Sequence, residues 1–365
     1  MKHHHPDQWL NFGSGPAALP QEVLEQGSAA ILDYNQTGLS LLSIPHRGKL
    51  FDAILEESKY LVRELCGIGN DYEVLWMHGG GRLQFCMIPL NFAETSQSAG
   101  YIDSGHWAWE AEEYAAFYRN SIRLSSSRDD NYSHLPQWPD QLPGKLAYVH
   151  FATNNTIYGT QWQEIPQSII PLIADMSSDI FSRARAYNNC AMFYACAQKN
   201  IGPAGATLVV IHKDMLKMNK QVRLLPPMLS YLEHAEKNSL LNTPPVFAIY
   251  TSLLMLRWTK EKTIAEIEKE SVLKSNLLYG EIERNSLFTP AVTIKEHRSR
   301  MNVCFRANNP EIEKGFLDFC TANKITGVEG HRTVGGFRVS LYNAIPLSAV
   351  EQLVALMKEY ERGKE

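Results

Sequence analysis

The sequence predicts an α/β protein: a large domain on a mainly parallel sheet, followed by a small C-terminal α+β domain. Three observations carry this. Short apolar runs recur from residue 73 to residue 211, several nearly continuous in hydrophobicity, as strands covered on both faces are. Helical patterns separate some of them, as crossovers between parallel strands require. Beyond residue 300 the pattern becomes strand, helix, strand, helix. A length of 365 residues suits about two domains and a sizeable core.

The elements follow in order. Residues 1–20 read as an N-terminal segment, and 21–262 as the large domain. Leu50, Phe51, Ile54, Leu55, Leu61, Val62 and Leu65 recur at three-to-four spacing and form one buried helical stripe. Strands are expected at 73–77 (EVLWM), 99–103, 145–152 (KLAYVHFA), 171–175 (PLIAD), 191–196 (AMFYAC) and 206–211, with a helix from Ala108 to Arg119. The stretch from Ser125 to Gly144, rich in Ser, Asp and Pro, reads as a surface excursion. Val246–Trp258 is apolar but carries Tyr250, Thr251 and Ser252. It falls short of the roughly 18 residues of a membrane span and reads as a buried helix. A charge-rich helix from Lys262 to Asn285 leads into the small domain, 263–365. There a strand (301–306), a helix (310–323), a second strand (336–342) and a second helix (347–360) are expected.

Composition excludes several function classes. With 35 basic and 39 acidic side chains the net charge is −4, which gives no electrostatic case for nucleic acid. Charged residues at 20% and hydrophobic residues at 44% are those of a globular chain, not a disordered one. The six cysteines show no CxxC spacing, so neither a disulfide scaffold nor a structural zinc site is expected, and a reducing, cytoplasmic setting fits. The opening MKHHHPDQW has no apolar run behind its lysine, so no secretory signal is expected. His3, His4 and His5 receive no metal role, and no metal site is expected elsewhere.

Two motifs carry chemistry. MHGGGRLQF (77–85) places three glycines between a strand and a helical run, where backbone N–H groups approach a phosphate at a helix N-terminus. Alone, the segment equally describes a tight turn with Arg82 on the surface. Asp175 closes one apolar strand, and Lys199 follows the end of another in a Gln-Lys-Asn turn. Ligands of open α/β sheets bind at the carboxyl ends of strands, so both side chains project towards one crevice. A lysine and a carboxylate there can serve pyridoxal phosphate: the amine links covalently to its aldehyde, and the carboxylate keeps the pyridine nitrogen protonated. Spacing alone leaves a structural Asp and a surface Lys equally open.

The whole chain resembles the phosphoserine aminotransferase family. The resemblance rests on NFGSGPAALP (11–20), HRG (46–48), HGGGRLQF (78–85), SGHW (104–107), NNTIYGT (154–160), ADMSSD (174–179), AQKNIGPAG (197–205), NTPPVFAIY (242–250), RSRMNV (298–303) and GHRTVGGFRVSLYNA (330–344), in the family's order. It implies the aspartate aminotransferase-like fold, pyridoxal 5'-phosphate as cofactor, and a homodimer with shared active sites. Lys199 would attach the cofactor and Asp175 would face its ring nitrogen. Trp107 would stack on the ring and Thr156 would bond near its phenolic oxygen. Gly81 and Arg82 backbone N–H groups, Gln198, and Asn242 and Thr243 of the second subunit would hold the phosphate. His46, Arg47, His331 and Arg332 would receive the substrate's distal phosphate or the γ-carboxylate of glutamate, and Arg338 the α-carboxylate. The implied reaction interconverts 3-phosphohydroxypyruvate and L-glutamate with O-phospho-L-serine and 2-oxoglutarate. A role in pyridoxine biosynthesis is common in the family.

Arg82 stands where many members carry a small hydroxyl residue, Pro45 where Ser is frequent, and Cys196 where glycine is usual. None of these removes a reacting group. The alternatives are another aminotransferase of this fold, such as an alanine–glyoxylate aminotransferase, a cysteine desulfurase, or a scaffold without chemistry. No cysteine sits in a mobile Gly/Ser/His-rich loop, against the desulfurase, and Lys199 argues against the scaffold.

Overall fold

In the computed structural model, residues 9–222 and 225–364 are described; His3, His4 and His5 lie outside them. Twelve strands occur in chain order: β1 (Leu10–Asn11), β2 (Tyr72–Met77), β3 (Ser98–Asp103), β4 (Asn120–Ser126), β5 (Leu146–Ala152), β6 (Leu172–Asp175), β7 (Met192–Cys196), β8 (Thr207–His212), β9 (Phe288–Pro290), β10 (Asn302–Ala307), β11 (Ile325–Thr326) and β12 (Phe337–Ser340). Seven of them form the large sheet in the order β2-β8-β7-β6-β5-β3-β4, with β8 antiparallel to both neighbours and the other pairings parallel. The sheet is therefore mainly parallel, as the apolar runs predict, and β3, β5, β6 and β7 end at one edge.

Alternation along the strands makes two cores. Val74, Trp76, Phe151, Phe193 and Val210 face helices Lys49–Cys66 and Val246–Lys262. Leu75, Tyr101, Tyr148, Ile173 and Tyr194 face helices Gly80–Phe92 and His106–Ala116. The 49–66 helix has the expected stripe, and it stops at Gly67, which takes the left-handed conformation (φ 62°) that ends helices.

The C-terminal core packs β9, β10 and β12 against helices Ile264–Arg284, Pro310–Ala322 and Leu347–Arg362. Helix 264–284 begins where Thr263 Oγ1 accepts the Glu266 N–H, and helix 310–322 where Asn309 Oδ1 accepts that of Ile312. The N-terminal segment belongs to this core. β1 pairs in parallel with β11, and Leu10 and Phe12 are buried there.

One expectation changes. The stretch after residue 125 is not a plain excursion, since β4 runs to Ser126 and Tyr132 and Leu135 are buried. Tyr132 is pulled in because its hydroxyl donates to the buried Asp103 carboxylate at 3.0 Å. Among the described residues, no helix is long and apolar enough to cross a membrane, and no three His, Cys, Asp or Glu side chains could hold a metal ion.

Candidate active site

The common strand edge opens into a cavity of about 270 Å³ lined by Gly79–Arg82, Trp107, Thr156, Asp175, Cys196, Gln198 and Lys199, among others. These residues arrive from the ends of five strands, β2, β3, β5, β6 and β7, the last of which supplies Cys196, Gln198 and Lys199. Asp175 is the last residue of β6, and Lys199 lies three residues beyond β7. Lys199 Nζ donates to Thr156 Oγ1 at 2.9 Å. Burial pushes the amine below its ordinary lysine range and the Asp175 carboxyl above its own; Asp175 and Lys199 oppose these shifts in each other. Arg338, in turn, pushes Lys199 further down. Asp175 Oδ1 also accepts the Ser177 N–H at 2.9 Å.

The glycines form the opposite wall. Gly79 (φ 85°) and Gly80 (φ 64°) take left-handed conformations, and the N-cap residue Gly79 brings no capping side chain to the helix. A Cβ on Gly81 would lie 3.5 Å from Cys196 Sγ and 3.9 Å from Asp175 Oδ2. The Gly81 N–H donates to Cys196 Sγ at 3.0 Å. Trp107 lies in the first turn of helix 106–116, which starts at Gly105 because Asn155 occupies the space of a side chain there: a Cβ would come within 2.1 Å of its Nδ2. Its indole Nε1 is buried without a partner.

The side chain of Arg82 is already committed. Its guanidinium pairs with Glu110 at 3.1 Å and lies 5.2 Å from the centre of the Trp107 ring. Its side chain is therefore not free to serve an anion.

The phosphate-reading pairs are divided. The His331 ring lies 6.2 Å from that of His106, next to Trp107, and burial followed by the cations of Arg338, His106 and Arg332 pushes its pKa down. Arg338 sits on β12, and its Nε is buried without a partner. None of His46, Arg47, Asn242, Thr243, His331, Arg332 and Arg338 lines this cavity. The Asn242 amide and the Thr243 carbonyl instead meet the His78 ring at 3.2 Å.

Sequence reasoning missed the supports. Asn154 Nδ2 donates to Ser178 Oγ (2.8 Å) and Asn302 Oδ1 (2.7 Å), while Asn302 Nδ2 donates to Ser340 Oγ (3.0 Å), tying the cavity to the strand of Arg338. Tyr194 pairs in register with Asp175 from the adjacent strand and works against the upward shift of its carboxyl, and His150 Nε2 meets the Tyr194 hydroxyl at 2.9 Å. The signal for these was available: a histidine and a tyrosine inside strands otherwise apolar.

The residues present fit pyridoxal phosphate. The glycine turn leaves an uncapped helix start for an anion, Trp107 offers an unpartnered indole beside a flat space, and a lysine and a carboxylate share the cavity.

The family model for class-V aminotransferases matches residues 9–353. A phosphoserine aminotransferase of Flavobacterium johnsoniae is 46% identical over 96% of this chain and 98% of its own length, and one of Bacillus subtilis 41% identical over 98% and 100%. Among solved structures, a phosphoserine aminotransferase of Bacillus circulans subsp. alkalophilus superposes with a TM-score of 0.95 at 38% identity over 98% of this chain and all of its own. A pyridoxal-phosphate-bound phosphoserine aminotransferase of Trichomonas vaginalis gives 0.91 at 33% identity over 96% and 100%. An alanine–glyoxylate aminotransferase of Nostoc shares only the fold, at 15% identity and a TM-score of 0.77. With relatives this similar over nearly its full length, the chain belongs to the class-V aminotransferases, in the phosphoserine aminotransferase family.

Proposed function

We propose that this chain transfers the amino group between L-glutamate and 3-phosphohydroxypyruvate, giving O-phospho-L-serine and 2-oxoglutarate, with pyridoxal phosphate held in the cavity of Lys199 and Asp175. The observation that carries it is the juxtaposition of that lysine and carboxylate with the glycine turn and Trp107 in one cavity. Bound there, the cofactor supplies an electron sink that makes the substrate Cα–H acidic.

The chain's residues do the rest. Asp175 would hold a proton on the ring nitrogen, and Trp107 would offer the ring its flat face. The Gly81 and Arg82 backbone and Gln198 would hold the phosphate end. Lys199 would anchor the cofactor, take the proton from the substrate Cα and return it; burial holds its amine below the ordinary lysine range. Thr156 keeps that amine in place when idle. Arg338 takes the α-carboxylate, and His331 and Arg332 the distal anion, with His46 and Arg47. Like His331, Arg332 and Arg338, the latter two and Asn242 and Thr243 do not line their own chain's cavity; the proposal is a homodimer in which His46, Arg47, Asn242 and Thr243 complete the partner's site. The boundaries 21–262 and 263–365, and a cytoplasmic setting, belong to the same proposal. The test is single-turnover reaction of the loaded enzyme with phosphoserine, serine, alanine and glutamate. Phosphoserine and glutamate should react fast and the other two slowly; equal rates for serine and phosphoserine would refute the phosphate specificity.

A further inference from the structure

Behind Asp175, away from the cavity, the sheet holds a buried polar chain. Asp175, Tyr194 and His150 stand on β6, β7 and β5, on one face. Asp175 is the register partner of Tyr194 and of Ala152, and His150 precedes Ala152 by two residues. Tyr194 and His150 are both buried, at 0% and 1% exposure. The His150 ring lies 5.4 Å from Tyr101 and 6.3 Å from Phe85, and stacks at 6.0 Å on Tyr194. Among the described residues, the Tyr194 hydroxyl is the one hydrogen-bond partner of the His150 ring. The Tyr101 hydroxyl is taken by that of Tyr148 at 2.8 Å, and His150 Nδ1 is buried with no hydrogen bond.

We infer that Tyr194 and His150 are positioning residues that hold Asp175 as an ionised acceptor towards the cofactor nitrogen. This rests on the role proposed for Asp175. The direction of the chain follows from what is left unpaired. An imidazole enclosed by aromatic rings stays neutral, and burial accordingly pushes its pKa down to about 3. A neutral ring carries one N–H, and a buried N–H without an acceptor is rarer than a bare acceptor. The proton therefore sits on Nε2, because Nδ1 has no partner and Nε2 has the Tyr194 oxygen at 2.9 Å. That N–H donates to the tyrosine oxygen, so the tyrosine's own hydrogen turns to the other neighbour, Asp175. A carboxylate accepts such a hydrogen about twice as strongly as a neutral group does, so the chain favours the charged form that burial alone disfavours. Neither residue touches substrate or cofactor; both act through Asp175.

The experiment measures binding, not turnover. Cofactor-free protein is titrated with pyridoxal phosphate and with its analogue bearing CH in place of the ring nitrogen, for the parent, Tyr194→Phe and Asp175→Asn. Tyr194→Phe should weaken the natural cofactor by about tenfold, the worth of one hydrogen bond to a charged group, and leave the analogue unchanged. A loss of packing alone would weaken both alike, and that result, or no loss for either, overturns the inference. Asp175→Asn separates the two claims. If it discriminates between the compounds and Tyr194→Phe does not, the relay alone falls; if Asp175→Asn does not discriminate, the role of Asp175 falls and the relay with it. Nitrogen-15 spectra of the unmodified chain's histidines, with His150 assigned by its absence in His150→Gln, provide a second measurement. The Nε2–H tautomer should persist unchanged from pH 5 to 8; an Nδ1–H tautomer, or a ring that titrates there, overturns the inference.

Discussion

Replacing Arg338 by methionine should give three effects of different sign. Arg338 sits on β12 with its Nε buried and unpartnered, and among the described residues it has no carboxylate partner. It depresses the Lys199 amine and the His331 ring, as an unbalanced positive charge does. A substrate α-carboxylate would supply the missing anion through two charge-assisted hydrogen bonds, each worth about 1.5–3 kcal/mol. Losing both costs about 3–6 kcal/mol, or roughly 10²–10⁴ in kcat/KM, for every amino acid alike, since all share that carboxylate. The Lys199 pKa in the cofactor-free protein should meanwhile rise, because the neighbouring cation is gone. Stability of the cofactor-free chain should not fall, because an uncompensated cation has been removed. The assays are single-turnover kinetics with phosphoserine, glutamate, alanine and serine, the pH dependence of Lys199 arylation, and urea unfolding. Losses under about threefold, or a loss confined to phosphoserine, would refute the α-carboxylate role; an unchanged Lys199 titration would refute the electrostatic part.

Borohydride reduction of the loaded protein should place the phosphopyridoxyl label on Lys199 alone, and peptide mapping that finds it on another lysine would defeat the anchor assignment. Sedimentation should show a dimer whose cofactor retention falls on dilution, and Asn242→Ala should speed cofactor loss; a fully active monomer contradicts the shared site. The buried pair Arg185–Asp179, at 2.5 Å with both side chains 1% exposed, anchors the turn after Asp175. Arg185→Met should cost about 3–5 kcal/mol in urea unfolding, because it leaves a buried carboxylate short of a partner; a loss under about 1 kcal/mol would show that Thr153 and Gln161 suffice for Asp179.

The strands with continuous apolar runs were legible, because burial on both faces leaves only one kind of residue to use. β4 was not: NSIRLSS is a polar edge strand, and its pairing with β3 is set by the sheet rather than by its composition. β1 and β11, two residues each, are likewise held by a pairing between distant parts of the chain that no local pattern announces. At the site, Lys199 and Asp175 were legible because they interrupt apolar strands at their ends. The histidine in LAYVHFA was equally visible and was passed over, since within a strand its partner is decided by the neighbouring strand. The commitment of Arg82 to Glu110 was invisible, because the two lie 28 positions apart on different helices.

That commitment bears on substrate choice. Of the arginines around the cavity, Arg82 is neutralised by Glu110, and Arg123 and Arg128 share the buried Asp103 at 3.7 and 3.3 Å. Arg332 and Arg338, with Arg47 from the proposed partner, have no carboxylate partner among the described residues. Asp175 offsets Lys199, and no carboxylate among the described residues pairs with Arg338. In the proposed site, the positive charge beyond one α-carboxylate is what a second anionic group on the substrate would neutralise. Alanine and serine lack that group and would leave His331, Arg332 and Arg47 desolvated without a partner, whereas glutamate and phosphoserine satisfy them. Under the proposed residue roles, selectivity for doubly anionic amino acids would follow from which arginines the protein leaves unpaired.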